Sequence, residues 1–383
     1  MKTWAPLILA LASGACAVAP PAAPVEALFA DDLFAAPSAR VDAQEVFAVS
    51  TQMKDYLAAE LGETPGSKGR QQRLVDALRN KGQLRLEYDA AFTRNAAQAF
   101  DARTGNCLSL VIMTAAFAKE IGIGVRYQSV FVEENWSRRG DLYVSVGHVN
   151  LTLGRRPPKL GSRLDDGEQL TVDFLPPPDL RGSHWRELDE ATIVAMYMNN
   201  RAAEALSAGH VDDAYWFARE AVSRDPAYIA AYNTLGVIYR RRDHLAQAER
   251  VFSRALEREP RNIHVISNLA PVLAGLGRTA QSQALERRLA QLEPDPPFAF
   301  FHRGREAMGR GDYRAARDLF AREIDRDPYY HEFHFWMALA LAKLGEPEKA
   351  KRHLALAMEH STTRKDHDLY SAKLARIRSS SLH

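Results

Sequence analysis

The stretch IAAYNTLGVIYRRRDHLAQAERVFSRALEREP, residues 229–260, decides the fold of the C-terminal half of the chain. It contains two runs with apolar residues at helical spacing, and it closes on Pro260, which cannot continue a helix. Gly236 is small enough to allow two helices to cross closely, and the rings of Tyr239 and Phe252 are expected to fill the space between them. The stretch therefore predicts a pair of closely packed helices.

Prolines recur at one interval through this half of the chain. Successive members of the set are each 34 residues apart, and the set is Pro226, Pro260, Pro294 and Pro328. This period, with the small and aromatic residues described above, resembles the tetratricopeptide repeat. The resemblance implies five repeats over residues 195–364 in an all-α solenoid, followed by a capping helix and tail over residues 365–383. It also implies a concave groove that binds a protein or peptide partner.

Individual repeats differ in how well they match the pattern. In the third repeat, Ser282 and Glu286 stand where an alanine and an aromatic residue are expected, so we expect its packing to be poorer. Polar residues on the first helices of the repeats are candidates for the groove, although ordinary solvated positions explain them as well. These residues are Asn199, Asn233, Arg240, His264 and Ser267.

The most informative stretch of the N-terminal half surrounds Cys107, which follows Thr104-Gly105-Asn106 and precedes an apolar run over residues 108–121. The run is closed by Gly122 and predicts a buried central helix with Cys107 in its first turn. There the free backbone N–H groups and the helix dipole favour a thiolate. A lone cysteine is also often a small buried apolar residue, so the position alone leaves both interpretations open.

Two further residues favour the reactive interpretation. The sequence predicts a strand over Leu142–Leu153 with His148 at its middle, and a second strand over Gln169–Leu175 that carries Asp173. Either residue alone is an ordinary core or surface residue. Together with Cys107 they supply a nucleophile, a base and a group that orients the base.

This order of residues resembles the transglutaminase-like branch of the papain-fold cysteine enzymes. The resemblance rests on Gly105-Asn106-Cys107, His148 and Asp173, and it covers Gln71–Trp185. This segment is similar to bacterial domains of this kind that precede tetratricopeptide repeats. It implies an α+β papain- or transglutaminase-like domain over residues 46–190. It also implies a catalytic triad of the cysteine, the histidine and the aspartate, with a thioester intermediate.

The resemblance leaves the reaction open. Leu108 follows the nucleophile where many transglutaminases have tryptophan, and this places the acyl donor and acceptor in question. Water as acceptor makes the protein a peptidase or amidase, whereas an amine makes it an acyltransferase. For the oxyanion, the backbone N–H of Cys107 is the first candidate and Asn106 the weaker one. The alternative from another class is a non-catalytic scaffold, in which the repeats act and the N-terminal fold is inactive.

The chain begins with the features of an export signal. A lysine at position 2 precedes an apolar stretch, and small residues lead to Cys16, so residues 1–16 resemble the signal and processing site of a bacterial lipoprotein. Residues 17–45 are then expected to form an Ala/Pro-rich tether from a lipid anchor, which places the protein in the bacterial envelope facing the periplasm. Within the tether, Phe29–Phe34 is apolar and acidic, and it can dock on the protein body, occupy its cleft, or make a plain surface contact.

Composition narrows the remaining functions. The 383 residues are 46% hydrophobic and 26% charged, which suits two or three folded domains. The 50 basic and 48 acidic residues give a net charge of +2, so no nucleic acid partner is expected. No cofactor motif occurs. His331 and His334 share a predicted helix face, but no third ligand has suitable spacing, so no metal site is expected.

Overall fold

The computed structural model describes most of the chain after residue 23. The described residues are 24–38, 40–61, 69–79, 86–89, 92–131, 136–139, 142–145, 148–154, 169–174 and 184–380. The expected export signal and Cys16 lie outside them. In the part described, no helix is both long enough and apolar enough to cross a membrane.

The chain first forms short helical turns, then two helices. Three 3-10 turns cover Val25–Leu28, Asp31–Leu33 and Ala43–Phe47. Helix α1 is Thr51–Leu61 and helix α2 is Arg70–Arg79. The part of the expected tether that is described is therefore not a bare spacer, because it contains local structure and contacts the protein body.

Helix α4 is the centre of the N-terminal region. It runs from Cys107 to Glu120, and every residue over Cys107–Ala118 is buried, which confirms the predicted central helix with its cysteine in the first turn. The elements that lead into it are strand β1 (Glu87–Tyr88), helix α3 (Ala96–Ala102) and strand β2 (Thr104–Gly105), in which the two strands pair in parallel.

An antiparallel sheet packs beside α4, which contacts it through strand β6. Its strand order is β7-β6-β3-β8. The strands are β3 (Val125–Phe131), β6 (His148–Leu153), β7 (Leu170–Val172) and β8 (His184–Leu188). A separate antiparallel pair is formed by β4 (Trp136–Arg139) and β5 (Leu142–Ser145).

The strands correct the sequence-based prediction in two places. The run expected as one strand over Leu142–Leu153 is divided between β5 and β6, which pair with different neighbours. His148 is the first residue of β6. Asp173 directly follows β7, because that strand ends at Val172. Alternating apolar residues indicated extended structure but did not show where hydrogen-bonded pairing changes partner.

The C-terminal half consists of consecutive helix pairs and a last helix. The pairs are α5 (Glu190–Ser207) with α6 (Val211–Arg224), α7 (Ile229–Arg241) with α8 (Leu245–Arg258), α9 (Ile263–Gly275) with α10 (Thr279–Leu292), α11 (Ala299–Gly309) with α12 (Tyr313–Arg326), and α13 (His331–Lys343) with α14 (Pro347–Glu359). Helix α15 (Arg364–Ser380) packs on α14 where a capping helix was expected. The first pair begins at Glu190, five residues before the expected start of the repeats.

Within a pair, glycine allows close contact as the sequence predicted. A Cβ atom built on Gly236 would lie 2.5 Å from the ring of Phe252, and one on Gly304 would lie 2.5 Å from the ring of Phe320. Real Cβ atoms do not approach this closely, so both positions need glycine. The spacing of the small and aromatic residues thus correctly predicted that the two helices of a pair cross closely.

The apolar core of the described residues is divided at the third repeat. One cluster joins the N-terminal region to the repeats as far as Leu273, and a second begins at Phe298 and extends to Leu374. Helix α10 lies between them, and Ser282 is its one buried residue. The expectation of poorer packing in this repeat is confirmed, because polar Ser282 and Glu286 supply little apolar surface there.

Candidate functional site

The start of helix α4 positions the thiol. Asn106 caps the helix, since its Oδ1 accepts hydrogen bonds from the backbone N of Ser109 at 2.9 Å and from Ser109 Oγ at 2.8 Å. A Cβ atom on Gly105 would lie 2.7 Å from the Cβ of Ser109, so the residue before the cap must be small. Cys107 is then the first helical residue, where the backbone N–H has no partner within the helix.

His148 and Asp173 meet at the edge where β6 and β7 pair. The Nε2 atom of His148 lies 2.9 Å from Oδ1 and 2.8 Å from Oδ2 of Asp173. Only 8% of the His148 side chain and 12% of the Asp173 side chain are exposed, so water competes weakly for this ion pair. The structure therefore brings together the two residues that the sequence placed on separate strands.

The third predicted residue lies against the same imidazole. Burial lowers the pKa of His148, but the hydrogen bond to Asp173 and the interaction with the Cys107 side chain outweigh burial and raise the pKa to about 9. Since Nε2 is engaged by the carboxylate, Nδ1 is the ring nitrogen left for the thiol. The imidazole is therefore placed to act as the base for the thiol.

Sequence reasoning missed Asn150 in this site. Its Nδ2 donates a hydrogen bond of 3.1 Å to Oδ2 of Asp173, and the residue is buried. Asn150 lies two positions after His148 on β6, so both side chains leave the same face of the strand. The alternation of polar His148, Asn150 and Thr152 with apolar residues along β6 was the available signal. Asn150 restrains the carboxylate that orients the histidine.

Asn106, the weaker oxyanion candidate, is engaged in local structure. Besides capping α4, its Nδ2 donates to Oγ1 of Thr93 at 2.9 Å. The backbone N of Thr93 in turn donates to Oε1 of Glu204 at 2.7 Å, and Glu204 belongs to α5 of the first repeat. Hydrogen bonds therefore link the residue before Cys107 to the solenoid.

The groove candidates of the repeats occupy different environments. Asn233 accepts a hydrogen bond of 3.0 Å from Nδ2 of Asn268, in the next repeat. The Oδ1 atom of Asn199 is buried without a partner, and burial lowers the pKa of His264 to about 4. These residues have no common chemical character that would identify the class of ligand.

The histidines of the fifth repeat contact each other, the capping helix α15 and the turn before α13. His331 contacts the hydroxyl of Tyr370 at 2.6 Å through Nδ1, whereas Nδ1 of His334 lies 3.0 Å from Nδ1 of His353. The Nε2 of His334 is bonded to the carbonyl of Pro328 at 2.8 Å. Across the described residues, no group of three or more His, Cys, Asp or Glu side chains is placed to hold a metal ion.

Comparisons with known proteins bear on the repeats. The tetratricopeptide repeat family matches residues 229–262. The structure of YrrB, a tetratricopeptide protein described as having an unusual peptide-binding site, is 22% identical, with 47% of this chain and 92% of YrrB covered and a TM-score of 0.26. MamA, from residue 41 to its end, of Desulfovibrio magneticus RS-1 is 15% identical, with 45% of this chain and 96% of that chain covered and a TM-score of 0.26. No curated protein matches the chain.

The family match and the paired helices agree. The C-terminal half is a solenoid of the tetratricopeptide type. Solenoids of this type are protein-interaction modules, and their repeats bind protein or peptide partners.

Proposed function

We propose that the protein binds a protein or peptide partner through its repeats and performs thiol acyl chemistry at Cys107. The observation that supports the chemistry is the contact of His148 with both Cys107 and Asp173 inside a nearly closed site. The transglutaminase-like fold suggested by the sequence is part of this proposal. The cysteine at the start of α4, the histidine at the start of β6 and the aspartate directly after β7 support it.

The reaction would proceed through a thioester. The Cys107 proton passes to Nδ1 of His148, and the thiolate forms a bond to the carbonyl carbon of an amide or ester. The tetrahedral intermediate collapses when the bond to the leaving group breaks, and the imidazolium returns the proton to that leaving group. Water or an amine, deprotonated by the imidazole, then attacks the thioester and restores the thiol. Asp173 keeps the imidazole oriented throughout.

The oxyanion would be held at the start of α4. The backbone N–H of Cys107 points from the positive end of the helix and lacks an intrahelical partner. The Asn106 side chain caps the same helix and contacts Thr93. We therefore assign it the role of positioning Cys107, in preference to direct contact with the oxyanion.

An active ester tests this function. In a Cys16→Ser chain the one remaining cysteine is Cys107. Incubation with a p-nitrophenyl ester should release p-nitrophenol and add the acyl mass to this residue, as read by mass spectrometry of the intact protein. An added primary amine yields an amide if the protein is an acyltransferase, whereas the free acid forms if it is a hydrolase. Equal release by a Cys107→Ala chain would contradict the proposal.

A non-catalytic scaffold is the second candidate, and the comparisons favour it because the family match lies within the repeats. In this case the N-terminal region is a binding surface joined to the solenoid by a shared apolar core. A Cys107→Ala chain then captures the same partner and restores the function of a strain that lacks the protein. Failure of this variant to restore function, with partner capture intact, would favour the enzyme.

We further propose that the chain is exported to the bacterial envelope and lipidated at Cys16, on the basis of its first 16 residues. Labelling of cells with a fatty acid that carries an alkyne should then mark the wild-type chain but not Cys16→Ser. An unlabelled wild-type chain in the soluble periplasmic fraction would contradict the anchor.

A further inference from the structure

Residues 28–38, which we call the docked segment, lie on the first two repeats in extended form with a single 3-10 turn. Side chains of α6 and α7 bind its backbone at five atoms. The bonds run from the hydroxyl of Tyr239 to the carbonyl of Leu28 (2.9 Å), from the N of Ala30 to the hydroxyl of Tyr215 (3.0 Å), from Nε1 of Trp216 to the carbonyl of Ala35 (2.7 Å), from the N of Ala35 to Oδ1 of Asp212 (3.3 Å), and from the N of Ser38 to Oδ1 of Asp213 (2.6 Å).

Side chains of the docked segment also make specific contacts with the repeats. Asp31 accepts hydrogen bonds from the hydroxyl of Tyr215 at 2.5 Å and from Nε of Arg219 at 2.9 Å. Phe34 stacks on the ring of Tyr215, with 3.9 Å between ring centroids and 3° between planes, and only 7% of Phe34 is exposed. The guanidinium of Arg219 also lies 4.8 Å from the ring centroid of Phe29. The surface therefore recognises an aromatic residue, an acid two positions later, and a second aromatic residue three positions after that.

The polar contacts resemble those of a bound peptide, while Phe34 belongs to the apolar core that the repeats share with the N-terminal region. The contacts described above join the backbone of the docked segment to side chains of the repeats, without a strand ladder between them. The anchoring groups are partly open to water, since 44% of the Asp31 side chain and 31% of the Arg219 side chain are exposed. An aromatic pocket beside an arginine that pairs with a carboxylate is a typical site for a short linear motif.

We propose that this surface of α6 and α7 is a binding site for peptides with the pattern Phe-x-Asp-x-x-Phe, and that the docked segment is a tethered occupant that such a partner replaces. The inference rests on the proposed role of the repeats in protein binding, but it does not depend on chemistry at Cys107. Covalent attachment raises the effective concentration of the docked segment, so a partner binds weakly until the internal contact is weakened.

A labelled peptide of residues 27–38 tests the proposal by fluorescence anisotropy with the full Cys16→Ser chain. Asp31→Asn in the chain removes the charge that pairs with Arg219, so we expect the peptide to bind this variant at least tenfold more tightly than the parent chain. Asp32→Asn is the matched control, because the neighbouring carboxylate makes no contact among the described residues, and it should leave binding unchanged. Arg219→Ala, added to Asp31→Asn, should reverse the gain.

Two results would overturn the proposal. One is a folded Asp31→Asn chain, with the helical circular dichroism of the parent, that binds the peptide no better than the Asp32→Asn chain. The other result comes from amide exchange in the parent chain, and it decides the question even if the Asp31→Asn variant unfolds. A tethered occupant requires the amides of Ala30 and Ala35 to exchange faster than those of α7, whereas equal protection makes the docked segment a permanent part of the fold. Acylation of Cys107, measured in the same variants, separates a failure here from a failure of the proposed thiol chemistry.

Discussion

The thiol site and the repeats are built in different ways. The repeats bury small and aromatic residues that lie within one period of the chain, as Gly236 and Phe252 do, and Gly304 and Phe320 make the same contact in the pair α11–α12. The thiol site joins the start of a helix, the start of β6 and the residue that follows β7, and His148 and Asp173 alone are 25 positions apart. The stability of the repeats is therefore distributed over many apolar contacts, whereas the chemistry of the thiol site depends on a few polar contacts. A single substitution should end function in one region and weaken structure in the other.

The largest effect is expected when Asp173 is changed to Asn. The amide keeps the volume of the carboxylate but neither balances the imidazolium nor fixes its tautomer, so acylation of Cys107 should slow by roughly 10²- to 10⁴-fold. The helical circular dichroism should change little, because the site adds few contacts to the core. Rates are measured with the p-nitrophenyl ester, and a rate within threefold of the parent would contradict the assigned role.

A matched pair of glycine substitutions tests the repeats. Gly236→Ala and Gly304→Ala each place a Cβ atom 2.5 Å from a phenylalanine ring, so each should lower the free energy of unfolding by about 3 kcal/mol. The two residues differ in which apolar cluster surrounds them. Gly236→Ala should destabilise the N-terminal region together with the first repeats, whereas Gly304→Ala should destabilise the last two repeats alone.

Urea unfolding followed by two signals separates these outcomes, with alkylation of Cys107 reporting the N-terminal region and circular dichroism reporting the helices. If Gly304→Ala shifts both signals equally, the solenoid unfolds as one unit and the division of the core has no energetic meaning.

Stability should also depend on pH through His148. Its pKa is raised from 6.5 to about 9 in the folded protein, so the protonated form is favoured by folding. This contribution is fully present below pH 6.5 and is lost as the pH rises through 9. Between pH 6 and pH 9.5 the difference in unfolding free energy between the parent and His148→Gln should shrink by about 3 kcal/mol. A constant difference across this range would show that folding does not raise the pKa of His148.

The smallest effect is expected at Asn150. Asn150→Leu removes the hydrogen bond to Asp173 at similar volume, which should slow acylation of Cys107 about tenfold and shift its pH profile. Thr152→Val is the control, because Thr152 bonds Thr171 across the same pair of strands without touching the carboxylate. Equal effects of the two substitutions would assign Asn150 to strand stability and not to positioning.

The sequence predicts the repeats well because their signals are local. A glycine facing an aromatic ring and a proline at the end of the second helix act within one helix pair, so position along the chain is enough to place them. Helix α4 was predicted for the same reason, since its length, apolar content and final glycine are all local.

The site was predicted in residue type but not in geometry. Alternating apolar residues suggested one strand over Leu142–Leu153, yet pairing partners change between β5 and β6, and such non-local register leaves no trace in a single sequence. Asn150 was missed because its role depends on which residue faces it across the sheet. The docked segment was left with three alternatives, and its contacts with Tyr215 and Arg219 depend on repeats that lie far away in the chain.

The most direct test of the thiol site is the rate of iodoacetamide alkylation of Cys107 against pH, in the Cys16→Ser chain and with His148→Ala added. If His148 forms an ion pair with the thiolate, the parent profile should reach half its maximum at least one pH unit below about 8.5, where a free thiol is half ionised. The substitution should move this midpoint upward. Slow alkylation with an ordinary midpoint, unchanged by His148→Ala, would contradict the account and leave the repeats as the functional part of the protein.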